Sequence, residues 1–373
     1  MKFSIKKNYF IEALSKTQGV VDRKSTMPIL SNILIEAKKK DKEITVQATD
    51  LEIGVEGKYE AEVVEDGKMT VSARKLFDLV REMPQDDVYL SKEEGHQVEI
   101  TCGKAIFKIL GLAPEDFPPL PDISKVDFFM IDGAVLKEMF EKTSFSISTD
   151  ETRHALNGIL FQRIIEDDRS IIRMVATDGH RLSLCDREVD TDVPEIVDNI
   201  IVPRKGIHEV RRLLEDGEGS ISIGLKDQNI IFKKGSFTII ARLIDGDFPN
   251  YDNVIPKGNE KIVLVDRLSI HSSVKRVSIL TTERSKGVKF GVTSGKMEIS
   301  LNNPELGEAY DEIEIDYNDE ALEIGFNVRY LIDVLGVIDT EKIKIALNDE
   351  LSAGLVTPDG DDGFRYVLMP IRL

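Results

Sequence analysis

The sequence predicts an α+β fold of three similar domains, each with two helices packed on one face of antiparallel sheet. Two recurring units and one alternation carry that expectation. The first unit is a short alternating strand that runs into an amphipathic helix. It begins at Met1 (MKFSIKKNYFIEALSKTQGV), at Phe128 (FFMIDGAVLKEMFEKTSFSIS) and at Lys261 (KIVLVDRLSIHSSVKRVSIL). The second unit follows each of these, from Thr70 (TVSARKLFDLVREMP), Ile200 (IIVPRKGIHEVRRLLEDG) and Leu322 (LEIGFNVRYLIDVLGVID). Its helical period shows in Leu76, Val80 and Met83, in Ile207, Val210 and Leu214, and in Val328, Leu331 and Leu335. That spacing places apolar side chains on one helix face. The stretches EITVQATDLEIGVEGKYEAEV, IIRMVATDGHRLSLCDREV and MEISLNNPELGEAYDEIEI alternate at period two, as half-buried strands do. A closing strand ends each repeat: AIFKILGLAPEDFPPLP, FTIIARLIDGDFPNYDNVIP and FRYVLMPIRL. The first two run into matching Asp-Phe-Pro turns at Asp116–Pro118 and Asp247–Pro249. Pro, Asp and Lys cluster near 122–127 and 253–260, so the expected domains are 1–124, 125–255 and 256–373.

The length of 373 residues exceeds one ordinary domain and suits two or three. Apolar residues at 41% suffice for a core in each. The opening decapeptide lacks the apolar run of a signal peptide, and no stretch reaches the length of a membrane span. Cys102 and Cys185 are far apart without CxxC spacing, which reads as two buried thiols in a reducing compartment. A cytoplasmic location is expected.

The net charge of −18 taken alone argues against a nucleic-acid partner. Its distribution softens that argument. Residues 311–323 carry seven acids and no base, whereas 203–213 carry Arg204, Lys205, Arg211 and Arg212 against Glu209 alone. An acidic body with local basic patches is compatible with DNA on one face.

Candidate chemistry is sparse. The run TDGHR offers Asp178 and His180 as an acid/base pair, but a tight Asp-Gly turn between strands accounts for it better. No second His or carboxylate motif has metal-ligand spacing. PDGDDG (Pro358–Gly363) lacks the distal Glu of a calcium loop and reads as a hairpin loop. GVTSGKM lacks phosphate-loop spacing. No catalytic residue, metal or cofactor is expected.

Eight runs then accumulate in order across the three repeats. They are MPILSNILIEA (Met27–Ala37), ATDLE (Ala48–Glu52), VSARK (Val71–Lys75), ATDGHRLS (Ala176–Ser183), VPRKG (Val202–Gly206), FPNY (Phe248–Tyr251), IGFNVRYL (Ile324–Leu331) and YVLMPIRL (Tyr366–Leu373). Together they resemble the beta subunit of bacterial DNA polymerase III, the sliding-clamp family. The resemblance implies three clamp domains per chain and a head-to-tail homodimer that closes a ring of six such domains. Helices would line the hole and sheets would form the wall. The implied role is non-catalytic: a processivity factor that encircles double-stranded DNA without sequence preference. Implied partners are the DNA polymerase III alpha subunit, which would carry any polymerase activity, a clamp loader, and other polymerases and repair proteins docking by short peptide motifs.

The resemblance also assigns residues. Lys24, Arg74, Arg153 and His154 match DNA-contact positions, and Arg204 and Lys205 join them because they sit at a helix start beside Pro203. A partner-peptide groove is implied with one wall of Val367, Met369, Pro370, Ile371 and Arg372. Leu156, Thr177, Gly179, His180, Arg181, Leu182, Pro249 and Val254 would form the other, with Tyr330 beside them. The dimer contact would set Phe107, Ile109, Lys75, Lys104 and Lys108 against Ile279, Leu280, Glu305, Glu308 and Asp311. Two other readings compete. A phosphoesterase using Asp178 and His180 with metal held by Asp359, Asp361 and Asp362 leaves the threefold repeat without a purpose. A monomeric peptide-binding module differs from the clamp in mass.

Overall fold

The structure, a computed structural model, describes residues 1–22, 25–84, 87–167, 169–189, 199–215, 218–282 and 285–372. Lys24 lies outside the described residues. Six α-helices occur among the described residues: α1 (Lys7–Thr17), α2 (Ala73–Glu82), α3 (Gly133–Thr143), α4 (Arg204–Leu213), α5 (Arg267–Ser278) and α6 (Val328–Val337). They pack on antiparallel sheets, as the repeats predict.

Two compact units divide the chain. The first joins Met1–Gly133 to Lys205–Leu243, and the second joins Ala134–Arg204 to Ile244–Leu373. In the first unit, a five-stranded sheet runs in the order 62–65, 2–6, 87–92, 97–102, 105–110. An eight-stranded sheet runs 128–132, 220–226, 229–234, 237–242, 53–60, 43–49, 32–38, 67–72. The apolar period of the sequence faces this core: Phe3 and Ile5 point inward from the first strand, Phe10 and Leu14 from α1, and Leu76 and Val80 from α2. Helices α1 and α2 lie beside each other. Gly19, just past α1, faces the buried Glu209 of α4, where a Cβ would come within 2.1 Å of Oε1. Burial pushes the Glu209 carboxyl up, against the pull of Arg212, whose Nη1 donates to its other oxygen at 3.0 Å.

In the second unit, an eight-stranded sheet runs 200–203, 158–166, 169–177, 181–188, 364–368, 354–358, 342–347, 261–266. A four-stranded sheet runs 307–314, 296–303, 287–293, 322–327. Helix α5 packs beside α6.

The units cut across the sequence repeats for a physical reason. The closing strand of the second repeat, Phe237–Arg242, pairs with Ile53–Glu60 of the first, Ile240 opposite Gly54. The closing strand of the third, Phe364–Leu368, pairs likewise with Arg181–Glu188 of the second, Leu182 opposite Val367. Backbone pairing therefore ties each repeat to its predecessor, and the central repeat is shared.

Four charges reinforce the second of these junctions. Arg187 Nη2 donates to Glu138 Oε1 at 2.5 Å and to Asp361 Oδ2 at 2.7 Å. Lys142 Nζ reaches the same two carboxylates at 2.6 and 3.0 Å. Burial alone would raise both acids, but the hydrogen bonds from Arg187 and Lys142 outweigh it and hold them below their ordinary values. Arg187→Ala should destabilise the protein by about 2–3 kcal/mol, between the values for exposed and fully buried pairs. Groups with depressed native pKa contribute above their unfolded pKa and lose that contribution as pH falls through the native one. Urea-unfolding curves of parent and variant should therefore differ at neutral pH and converge in acid; a constant difference would exclude this network as its source.

Candidate functional site

The turn Thr177–Arg181 is built by its own side chains. Thr177 Oγ1 donates to the Arg181 carbonyl at 2.6 Å and accepts from Gly179 N at 3.1 Å. Asp178 Oδ1 accepts the backbone N–H groups of His180 and Arg181 at 2.9 and 3.1 Å. This is an Asx turn, in which a short acid replaces a backbone acceptor. Gly179 takes φ +88°, and a Cβ there would approach Arg153 Nη1 to 2.7 Å. Arg153 itself donates to the Asp178 carbonyl at 3.1 Å.

Arg181 anchors this turn to the third repeat. Its Nε donates to Asp178 Oδ2 at 3.1 Å, Nη1 to Asp333 Oδ2 at 2.5 Å, and Nη2 to the Phe145 carbonyl at 2.5 Å. The guanidinium lies over the rings of Tyr330 and Phe145, at 4.3 and 5.4 Å. A planar fork that stacks and hydrogen-bonds at once is a role lysine cannot fill. Burial drives the Tyr366 phenol far above its ordinary range, so it stays a neutral donor to the Tyr330 carbonyl, 3.0 Å away.

The C-terminal segment runs along this turn. Met369 N donates to the His180 carbonyl at 3.0 Å, and Ile371 N to the Gly325 carbonyl at 2.9 Å. Beneath lies an apolar cluster of Leu160, Val175, Leu182, Leu184, Ile201, Tyr251 and Val367, with Ala155, Phe248 and Val254 packed against it. Leu182 and Val367, at 2% and 0% exposure, are a core beneath the surface and present no contact of their own. Leu156, Thr177, Val254, Tyr330, Met369, Pro370 and Ile371 are half-buried, and Gly179, His180, Pro249 and Arg372 are exposed. The structure thus brings the expected groove residues into one unit, with two of them as floor. Sequence reading missed Asp333 and Phe145, because nothing in their local runs marks them as partners of Arg181.

The basic positions differ in freedom. Arg74 is exposed at the start of α2, 3.7 Å from Asp78 one turn on. Arg153 pairs with Asp150 at 3.6 Å, beside the exposed His154. Arg204 is exposed at the start of α4. Lys205 is not free: its ammonium is ion-paired with Asp50, in the ATDLE run.

Two apolar surfaces accompany the expected dimer residues. The strand Ala105–Leu110 is a sheet edge that exposes Ile106, Phe107 and Leu110, with Ile109 half-buried. A depression of about 410 Å³ beside it is lined by Lys75, Leu79, Met83 and Phe107 among others. Lys104 is exposed and Lys108 pairs with Glu99 at 2.9 Å. In the other unit, Ile279 is 75% exposed and Leu280 half-buried, just past the end of α5. Glu305 and Glu308 are exposed, whereas Asp311 is held by Arg276 at 2.5 Å and is not available as sequence reading supposed.

Family descriptions match along the chain in order. The DNA polymerase III beta subunit N-terminal domain matches residues 1–121, the central domain 130–250 and the C-terminal domain 252–372. The chain belongs to the DNA polymerase III beta subunit family. It is 38% identical over all of both chains to the beta sliding clamp of Pseudomonas putida, and 36% identical over all of both to that of Caulobacter vibrioides. Among solved structures, it aligns over its full length with the Caulobacter crescentus polymerase III beta chain (TM-score 0.92, 36% identity, full coverage of both). A sliding clamp from Bartonella birtlesii bound to griselimycin aligns at TM-score 0.95, with 36% identity and full coverage of both.

Within this family fold, three of the carboxylates that suggested hydrolysis are committed elsewhere. Asp178 is spent on two amides and Arg181. Asp361 is held by Arg187 and Lys142, and Asp359 lies 2.7 Å from Lys344. Burial pushes the Cys185 thiol up to about 12, so it is no nucleophile at neutral pH. Among the described residues no helix is long and apolar enough to cross a membrane. Asp178→Ala should cost about 2 kcal/mol, the scale for hydrogen bonds to a charged group, read as a lower urea midpoint. Unchanged stability would mean the turn does not depend on this carboxylate.

Proposed function

We propose that the protein is a non-catalytic cytoplasmic processivity factor, a head-to-tail homodimeric ring that encircles duplex DNA and tethers polymerases to it. One observation of strand pairing carries the ring. At each junction within the chain, the closing strand of one repeat pairs with the fourth strand of the repeat before it. Two strands of these kinds have no neighbour on one side among the described residues: the closing strand of the first repeat, Ala105–Leu110, and the fourth strand of the last, Gly307–Glu314. Repeating the junction between two copies joins one edge to the other. Doing so twice satisfies both of these edges in each copy. Side chains support this reading. The first edge has Lys75 and Lys104 nearby with Ile106 and Phe107 exposed, and the second has Glu305 and Glu308 nearby with Ile279. The proposed domain division is that of the repeats, at 124 and 255.

DNA would pass such a ring with contacts to phosphates alone, which carry no base code. Arg74, Arg153, His154 and Arg204 are the described candidates, and Lys24 is a further one. Topological linkage needs little affinity, so few cations suffice despite the net acidity. After loading, the parent should be retained on nicked circular DNA and lost when the circle is cut. Ile279→Ala with Leu280→Ala should give monomers by sedimentation and no retention. A dimer that persists in this variant, or retention that survives linearisation, counts against the ring.

The surface around Met369–Arg372, the 177–181 turn and Val254 is proposed as the docking groove for short peptides of the polymerase alpha subunit, the clamp loader and repair proteins. An extended peptide with Leu, Phe or Gln anchors could seat apolar side chains against Leu156, Val254 and Met369. Met supplies an adaptable wall suited to several ligands. Affinity should be about micromolar, because few anchors must offset the ordering of a flexible tail. Deleting Met369–Leu373 should abolish binding of such a peptide while the dimer persists; parental affinity after the deletion rejects the groove.

A further inference from the structure

The four-stranded sheet of the third repeat carries a trough on its outer face that continues from the proposed groove. It has a volume of about 770 Å³, and two of its lining residues, Ile371 and Arg372, also belong to the proposed groove. The register explains its shape. On the outer face, Asn327, Gly287, Asn302 and Glu308 form one cross-strand row, and Gly325, Lys289, Ser300 and Tyr310 form the next. Gly287 and Ser300 leave one low position in the middle of each row, beside Asn302 and Lys289. Val288, Phe290, Ile299, Ile324 and Phe326 alternate with these rows and fill the buried face. The C-terminal segment borders the trough because Ile371 N is fixed to the Gly325 carbonyl at 2.9 Å. Tyr310 stands at the far side, 63% exposed.

The lining mixes apolar and polar side chains and carries three cations, Lys286, Lys289 and Arg372, against the carboxylate of Glu308. Glu308 already accepts from Asn302 at 3.1 Å, on the side away from the tail. Lys289 contacts Glu323 at 2.7 Å, but both side chains are well exposed. A pair of that kind contributes little and exchanges readily for another carboxylate. Pairing at the edge of the strand Gly307–Glu314 extends the sheet sideways and leaves this face open.

We propose that the trough is the continuation of the peptide groove, and that it receives an acidic segment flanking the anchor residues of a docking peptide. The inference rests on the groove reading above and adds to it a chemical preference outside the anchors. Continuity through Ile371 and Arg372 gives a bound chain a path onto the sheet. The low positions give an extended backbone room. Asn327, Asn302 and Ser300 offer hydrogen-bonding side chains along it, and Lys286 and Lys289 favour Asp or Glu. The net charge of −18 disfavours acidic peptides on average, so a gain from added acids points to a local basic patch, which the Lys286 and Lys289 variants locate.

The test uses the full-length protein and synthetic peptides measured by fluorescence anisotropy. One peptide holds only the anchors. Others extend it, at the N-terminus or at the C-terminus, by a short run of Asp, Ser or Lys. The Asp extension at one terminus should bind about three- to tenfold more tightly than the Ser extension, the yield of two exposed ion pairs. The Lys extension should bind more weakly than either. The gain should disappear in Lys286→Ala with Lys289→Ala, persist in Lys286→Arg with Lys289→Arg, and shrink as salt rises. The anchor peptide should bind parent and both variants alike. Equal binding of Asp and Ser extensions at both termini, or a gain that survives the alanine pair, overturns the inference while the groove stands. Failure of the anchor peptide itself to bind the parent overturns the groove reading and this inference with it.

Discussion

Antiparallel backbone pairing between consecutive repeats is the constraint on which the rest of this structure depends. A repeat of this kind offers two sheet edges, and an unpaired edge presents a row of unsatisfied N–H and C=O groups. Inside the chain the problem is solved twice, by Phe237–Arg242 against Ile53–Glu60 and by Phe364–Leu368 against Arg181–Glu188. The same register-setting contact recurs at the end of each of these two closing strands. Arg242 N donates to the Glu52 carbonyl at 2.9 Å, and Met369 N to the His180 carbonyl at 3.0 Å. A chain of three repeats must end with one edge of each type open. Head-to-tail assembly is thus the natural resolution of a repeat whose cohesion is directional.

A second device is also repeated, and it explains why one junction differs from the other. Asp50, Asp178 and Asn303 each accept, through one side-chain oxygen, the amides two and three residues on. The turn is constant, and its neighbours vary. At the first junction Asp50 also holds Lys205, Leu51 adopts φ +79° where Gly179 has +88°, and Gly54 stands opposite the closing strand where Leu182 stands in the second. Gly54 is covered by Leu120, whose Cδ2 would lie 2.4 Å from a Cβ there. The linker after the first Asp-Phe-Pro turn therefore fills its own junction. At the second junction no such linker residue takes that place in the core; Val254 packs against the cluster that holds Leu182, and Val254 and Met369 stay half-buried.

Much of this was legible in the sequence, because it depends on local periodicity. The alternation of Phe3 and Ile5, the helical stripe of Leu76 and Val80, and the Asp-Gly turn at Asp178 are short-range signals, and each is present where the pattern puts it. What was not legible depends on long-range partners. Arg181 finds Asp333, Lys205 finds Asp50, and Asp361 finds both Arg187 and Lys142. No spacing rule links such positions. The buried state of Val367 and Leu182 was hidden for a related reason. An apolar strand at a chain end reads as an available surface until the strands that flank it are known. The Asx turns at Asp50 and Asn303 were not read from the sequence, and at the latter Leu301-Asn302-Asn303 stands where the first two repeats have Ala-Thr-Asp.

Charge completes the argument. Several of the basic side chains that might have answered the acidity of this chain are used internally. Lys205 belongs to Asp50, Arg212 to Glu209, Arg187 and Lys142 to Glu138 and Asp361, and Arg181 to Asp178 and Asp333. Arg74 and Arg204 remain exposed at the starts of α2 and α4. A protein that held DNA by affinity alone would be poorly served by so few, since each phosphate contact adds only a modest, salt-sensitive increment. A closed ring reverses the requirement. Linkage supplies retention, and strong phosphate contacts would only impede motion along the duplex. Strength is then needed in the strand pairing that closes the ring, and weak, exchangeable phosphate contacts suffice for sliding.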